Sequence, residues 1–262
     1  MYNIVYSITF HQEVDLVNHF LKNIEKYNIK NNYLVIIHLS EKLYKIRDKI
    51  YTKNVIINPI HYDKKLNTHL LTKPFIENFE YLISQKIRFC NFMTLTSSNR
   101  FVRQAPYFKC KEEKLCENKI IQNIDNNTSV WFHWPAFIKN KKIIKIFQDN
   151  QICLKPGQVE GRLYSYELML KICEFIKKNN IMNIIENEMP FEEIIFPSLA
   201  TYYTNKPQTI YCHTFYNKKE TKSVPTVSEV IEILKEKPHI FIIKRFPDDL
   251  NHILFDNPKI FE

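Results

Sequence analysis

The sequence predicts an α/β domain with a mostly parallel sheet flanked by helices. Three observations carry that expectation. Tyr33-Leu34-Val35-Ile36-Ile37 is apolar and β-branched without alternation, the pattern of a strand buried on both faces. Ahead of it, Val17, Phe20, Leu21 and Ile24 recur at helical spacing, with Glu13 and Asp15 near the start, where acidic side chains suit the helix dipole. Ahead of that helix, Ile4, Val5 and Ile8 lie in another buried strand. Strand, helix and strand in this order make a βαβ unit.

The later elements extend the alternation. A basic helical stretch from Tyr44 to Lys49 leads to the short strand Val55-Ile56-Ile57. Phe75, Ile76, Phe79, Leu82 and Ile83 form the apolar face of a helix beginning near Thr72, and Pro74 sits in its first turn, where proline is tolerated. Phe92-Met93-Thr94-Leu95 reads as a strand ending in the polar cluster Thr96-Ser97-Ser98-Asn99. Ligands of open α/β sheets bind at the carboxyl ends of strands, so this cluster is well placed for a site. From Gln104 to Thr128 the pattern reads as a surface excursion, followed by the aromatic knot Trp131-Phe132-His133-Trp134-Pro135. Leu168, Ile172, Phe175 and Ile176 mark a helix; Thr226 to Glu229 fits a capping box opening another; Ile240 to Ile243 is a last strand. No linker or repeat interrupts the pattern. We therefore read a single domain over residues 1–262, with a nucleotide-binding half at about 1–103 and an acceptor and catalytic half at about 104–262.

Composition narrows the function classes. The chain has 262 residues, 45% of them hydrophobic, enough for a sizeable core. It holds only 2 Gly, which excludes a glycine-rich phosphate loop of the P-loop or Rossmann type. The abundance of Ile, Lys and Asn suggests an AT-rich genome. The net charge of +9 suits an anionic partner, such as a phosphorylated substrate or an anionic membrane face. The six cysteines include no C-x-x-C pair, and Cys153 and Cys173 read as small core hydrophobes. No signal peptide is read before Tyr2, and no apolar run reaches the ~20 residues of a membrane span. A cytoplasmic chain with reduced thiols is expected, peripheral at the inner membrane face.

Two constellations suit group transfer to a hydroxyl, which needs a base for the acceptor proton and positive charge for a leaving diphosphate. Glu192-Glu193 stands among apolar neighbours in Pro190-Phe191-Glu192-Glu193-Ile194-Ile195-Phe196-Pro197, where burial and mutual repulsion raise a carboxyl pKa. A capping pair at a helix start is the alternative. Lys244-Arg245 follows the last strand and suits a diphosphate clamp, or a surface pair closing that strand. No Asp-x-Asp metal pair is present, so cationic side chains would replace a metal.

In order and spacing these motifs resemble the core-2/I-branching β-1,6-N-acetylglucosaminyltransferases and peptide O-xylosyltransferases, with their bacterial relatives. The matching segments are Ile37-His38-Leu39-Ser40, Leu95 to Val102, Gly157-Gln158 to Leu163-Tyr164-Ser165, Phe191 to Phe196, and Ile242 to Phe246. Ser40 and Asn99 replace aspartates of the family pattern, and the basic pair is inverted in order. The resemblance implies a GT-A-like fold and an inverting, metal-independent transferase of hexosyl or N-acetylhexosaminyl type. The donor would be a nucleotide sugar, UDP-linked, and the acceptor a glycan; no other cofactor and no nucleic acid are expected. Glu193 would be the base and Glu192 its support. His11, His38, Ser40 and Asn99 would line the nucleoside pocket, and Lys244 and Arg245 would hold the diphosphate. Glu160, Arg162 and Trp134 would meet the acceptor, with Trp131 and Trp134 able to stack a sugar or pack the core. A basic nucleic-acid-binding module is the competing class, and a single basic stripe would favour it. A transferase of another substituent, such as a phosphoryl-type group, onto polysaccharide is the third.

Overall fold

The structure is a computed structural model of the chain and describes residues 1–61, 71–110, 134–185, 191–204, 214–215 and 225–244. In chain order the elements are β1 (Tyr2–Phe10), α1 (Val14–Tyr27), β2 (Tyr33–Leu39), α2 (Glu41–Tyr44), β3 (Val55–Ile57), α3 (Thr72–Ser84), β4 (Phe89–Thr96), β5 (Asn99–Phe101), α4 (Trp134–Phe137) and α5 (Lys141–Asp149). Then come β6 (Leu163–Ser165), α6 (Tyr166–Lys178), α7 (Ile181–Ile184), α8 (Glu192–Thr204), β7 (Thr214–Phe215), α9 (Val227–Glu236) and β8 (Ile242–Lys244). The main sheet has the order β3-β2-β1-β4-β6. Its first four strands are mutually parallel and β6 runs antiparallel to β4. The expected α/β fold, a mostly parallel sheet flanked by helices, is the observed one.

Two apolar layers hold the sheet. On one face Ile4, Tyr6, Ile8 and Phe10 of β1 and Val35, Ile37 and Leu39 of β2 meet Val17, Phe20, Leu21 and Ile24 of α1. On the other, Val5, Leu34, Ile36 and Phe92 meet Phe75 and Phe79 of α3, Ile172 of α6 and Ile194, Ile195 and Leu199 of α8. Each such fully buried side chain stabilises the fold by about 1.5–3 kcal/mol. The α3 face turns polar as the strands run toward their carboxyl ends: Val5, Ser7, Thr9 on β1; Leu34, Ile36, His38 on β2; Phe92, Thr94, Thr96 on β4. Thr9 lies between His38 and Thr96 in the ladder. Asn78 of α3 donates to Ser7 Oγ at 3.0 Å and accepts from Asn58 at 2.9 Å, which satisfies this buried wedge.

Several expectations are corrected. The last strand is Ile242–Lys244, and it joins not the main sheet but a small one of order β5-β8-β7, because β5 leaves the end of β4 and captures it antiparallel. The stretch from Tyr44 to Lys49 is no continuous helix: α2 ends at Tyr44 and a single 3₁₀ turn covers Arg47–Lys49. Cys90 and Cys110 form a disulfide, which contradicts the expectation of reduced thiols. Cys173 is buried as expected, whereas Cys153 is exposed, lying past the end of α5 rather than in its apolar face. The capping box Thr226/Glu229 opens α9 as expected. Among the described residues no helix is long and apolar enough to cross a membrane.

Candidate functional site

The sheet order places β2 and β4 on opposite sides of β1. The order in which strands are added to the sheet therefore reverses between β1 and β4, which are parallel, and a crevice opens beyond their carboxyl ends. The loop of residues 157–162 closes that crevice on the β4 side. Gly161 N–H donates to Thr94 O at 2.6 Å, Thr94 N–H to Arg162 O at 3.2 Å, and Thr94 Oγ1 to Val159 O at 2.6 Å.

Both glycines of the chain lie in this loop. Gly161 has φ +78°, and a Cβ there would stand 2.9 Å from the backbone nitrogen of Thr214. Position 161 thus requires glycine for conformation and for space. A Cβ on Gly157 would collide with the Arg162 guanidinium. Arg162 is buried, and its Nε donates to the Gln158 carbonyl.

Glu192 and Glu193 occupy the first turn of α8. Glu192 is 2% exposed, and its Oε2 meets no hydrogen-bond partner among the described residues. Burial first, then the charge of Glu193 and a smaller push from Glu160, hold its carboxyl well above the usual carboxylate range; Lys244 opposes them. Burial thus favours the protonated form of Glu192, whereas Glu193 is only half-buried. Pro197 lies inside α8 and has no N–H for the carbonyl four residues back, that of Glu193. Gly157 N–H donates to that carbonyl at 2.7 Å, so the loop and the two carboxylates are fixed to one another.

Lys244 ends β8 and stands opposite Asn99 in the β5–β8 ladder. Its Nζ lies 2.5 Å from Glu160 Oε1, with the side chains 19% and 4% exposed. Asn99 is buried; its Oδ1 accepts from Thr96 N–H at 2.7 Å, and its Nδ2 has no partner among the described residues. Glu160, Arg162, Glu192, Glu193, Lys244 and Asn99, drawn from four separate stretches of sequence, therefore form one cluster.

The other expected residues divide. His38 is fully buried on β2, and its Nε2 lies 3.2 Å from Glu77 Oε2 on α3. Ser40 is buried at the start of α2, and its N–H donates to Phe10 O at 3.0 Å. His11 follows β1 and is exposed. These three lie at the β1–β2 end of the same edge. Arg245 and the side chains of Trp131 and Trp134 lie outside the described residues.

Sequence reasoning passed over Gln158, whose Nε2 is buried without a partner among the described residues, and the buried Arg100, whose guanidinium donates to Ser97 O at 2.5 Å and lies 4.6 Å over the Phe20 ring. A signal was present for the first: in a chain so poor in glycine, two glycines four residues apart mark a loop that has no substitute for them. Among the described residues no group of three His, Cys, Asp or Glu side chains is placed to hold a metal ion. No family model and no curated protein matches the chain.

Proposed function

We propose that the chain is an inverting glycosyltransferase of GT-A type, moving a sugar from a nucleotide-sugar donor to a glycan hydroxyl. The observation that carries this reading is the pairing of a half-buried Glu193 with a buried Glu192, its carboxyl held well above the usual range, beside the cations Lys244 and Arg162, at the carboxyl edge of a parallel sheet. The order of the matching segments along the chain supports it independently.

In this mechanism the acceptor oxygen forms a bond to the anomeric carbon as Glu193 takes its proton. The bond from that carbon to the phosphate oxygen breaks, and its electron pair leaves with the diphosphate. Lys244 and Arg162, with Arg245 beyond the described residues, neutralise the departing charge without a metal. Glu192, being neutral, keeps a second negative charge away from the diphosphate and offers an O–H to a sugar oxygen. Asn99 Nδ2 and Gln158 Nε2 supply further donors. The nucleoside lies toward His11, His38 and Ser40.

A thermal-shift screen of nucleotide sugars and their diphosphates tests the reading, since a ligand held only by the native state raises the melting temperature. One nucleotide class should stabilise the protein in the presence of a strong chelator. No shift with any nucleotide, or a shift appearing only on adding manganese, contradicts it.

A further inference from the structure

On the β2–β3 side of the carboxyl edge the chain builds a stack of planar side chains. Asn58 follows β3; its N–H donates to Ile37 O at 2.8 Å and its side chain donates to Asn78 at 2.9 Å, so the strand end is fixed. Its Oδ1 accepts from Ile60 N–H at 3.0 Å, an Asx turn that leads into His61. Tyr44 closes α2, just after β2, and its N–H donates to Ser40 O at 2.9 Å. The rings of Tyr44 and His61 meet with centroids 4.2 Å apart and planes 9° from parallel. The Arg47 guanidinium carbon lies 4.5 Å from the Tyr44 centroid, and Arg47 Nη1 donates to Tyr44 O at 3.0 Å.

His61 is the outer member of this stack. Tyr44 covers one of its faces, and the residue is exposed. Its Nδ1–H donates to Pro59 O at 3.0 Å, since a carbonyl only accepts, so the ring is held by a hydrogen bond as well as by the stack. An exposed ring held in this way has already lost its rotamer freedom. A second flat ring laid on its outer face gains stacking at little further cost in order. The exposed Ile60 precedes it and adds apolar surface.

The stack and the carboxylate cluster lie at opposite ends of one edge. Strands β3, β2, β1 and β4 are successive neighbours. Neighbouring strands are about 4.8 Å apart, so the ends of β3 and β4 are separated by about 14 Å. Lys244, opposite Asn99 just past β4, marks the diphosphate end. A nucleotide sugar extended along the edge from there carries its ribose past β1 and its base toward β2 and β3. His38 and Ser40 are buried, whereas His61 presents a ring face to solvent. We propose that the nucleobase of the donor stacks on His61, with Tyr44 and Arg47 behind it. The inference rests on the sugar-transfer reading and names the platform for its nucleotide. Stacking uses the flat face that every base has, so His61 supplies affinity and leaves the choice of base to edge contacts.

Calorimetry with uridine, thymidine and guanosine diphosphates, and with inorganic pyrophosphate, tests it. At least one nucleoside diphosphate should bind the native chain more tightly than pyrophosphate does. His61→Ala should weaken that nucleotide by about 5- to 150-fold, the range of base–aromatic stacking, and leave pyrophosphate affinity unchanged. His61→Phe keeps a flat ring and should retain most of the native affinity. Tyr107→Ala removes an exposed ring near the start of β2, at the other edge of the sheet, and should change neither affinity. Melting curves confirm that each variant folds. Four results overturn the proposal and leave sugar transfer standing: a nucleotide bound no better than pyrophosphate, native affinity in His61→Ala, an equal loss of pyrophosphate in His61→Ala, or a loss in His61→Phe as large as in His61→Ala. A native chain that binds neither nucleotide nor pyrophosphate overturns both this proposal and the sugar-transfer reading.

Discussion

Gly157 donates its backbone N–H to the carbonyl of Glu193 at 2.7 Å, the carbonyl that Pro197 leaves without an intrahelical donor. A proline inside a helix usually weakens it by removing such a bond. Here the vacancy is filled from another part of the chain, and the α8 first turn is tied to the loop that carries Glu160 and Arg162. The tie depends on glycine, because a Cβ at 157 would push the Arg162 guanidinium aside.

Gly157→Ala and Gly161→Ala should therefore separate. Gly161→Ala forces a left-handed residue against Thr214 and should destabilise by at least about 1–2 kcal/mol, read as a lowered melting temperature. Gly157→Ala meets only the end of a side chain, so its melting temperature should fall less while nucleotide diphosphate affinity falls with the displaced Arg162. Equal melting losses would argue against these assignments.

Glu192→Gln tests the neutral acid through pH. A carboxyl whose folded pKa is raised contributes stability that is full below the unfolded value, about 4.3, and is lost as pH rises through the folded one. The Gln variant lacks this dependence. Its melting temperature should gain on the native chain steadily as pH climbs above about 4.3. A constant difference across pH would mean that Glu192 is ionised in the native state.

The pair Lys244 and Glu160 should behave as a unit. Lys244→Gln leaves Glu160 buried with one charge partner removed and should cost roughly 1–3 kcal/mol. Adding Glu160→Gln should recover part of the loss, while the diphosphate affinity lost with Lys244 stays lost. A double-mutant cycle by melting and calorimetry gives both readouts.

The disulfide closes a separation of 20 residues. Cross-linking a loop of that size stabilises by about 3 kcal/mol in the chain-entropy description. Reduction, or Cys90→Ser, should lower the melting temperature by on the order of 10 °C. No change on reduction would mean that the bond does not form in the protein.

How far these features were legible varies with the length of the signal. β1, α1, β2 and α3 were readable because nine, fourteen, seven and thirteen residues of consistent burial leave a clear periodicity. β6 and β7 have three and two residues and lack the continuous β-branched run that marks the equally short β3. The apolar run ending at Ile243 announced a strand but not its sheet, because that choice is made by β5 across the fold. The carboxylates were found from the apolar residues around them. Their tie to Gly157 and the Lys244–Glu160 pair depend on contacts between distant stretches, which local sequence does not encode. Cys90 and Cys110 give no spacing signal for a bond, and only the fold brings them together.

The most direct test is the rate of nucleotide diphosphate release from a panel of nucleotide sugars with glycan acceptors, measured for the native chain and Glu193→Gln. The substitution keeps shape and removes basicity, and general-base assistance is worth about 10²–10⁴-fold. The account predicts that one donor is turned over by the native chain, and that Glu193→Gln slows the reaction by about that factor with melting and diphosphate affinity unchanged. Native-like turnover by Glu193→Gln, or no turnover of any donor by the native chain, would contradict it.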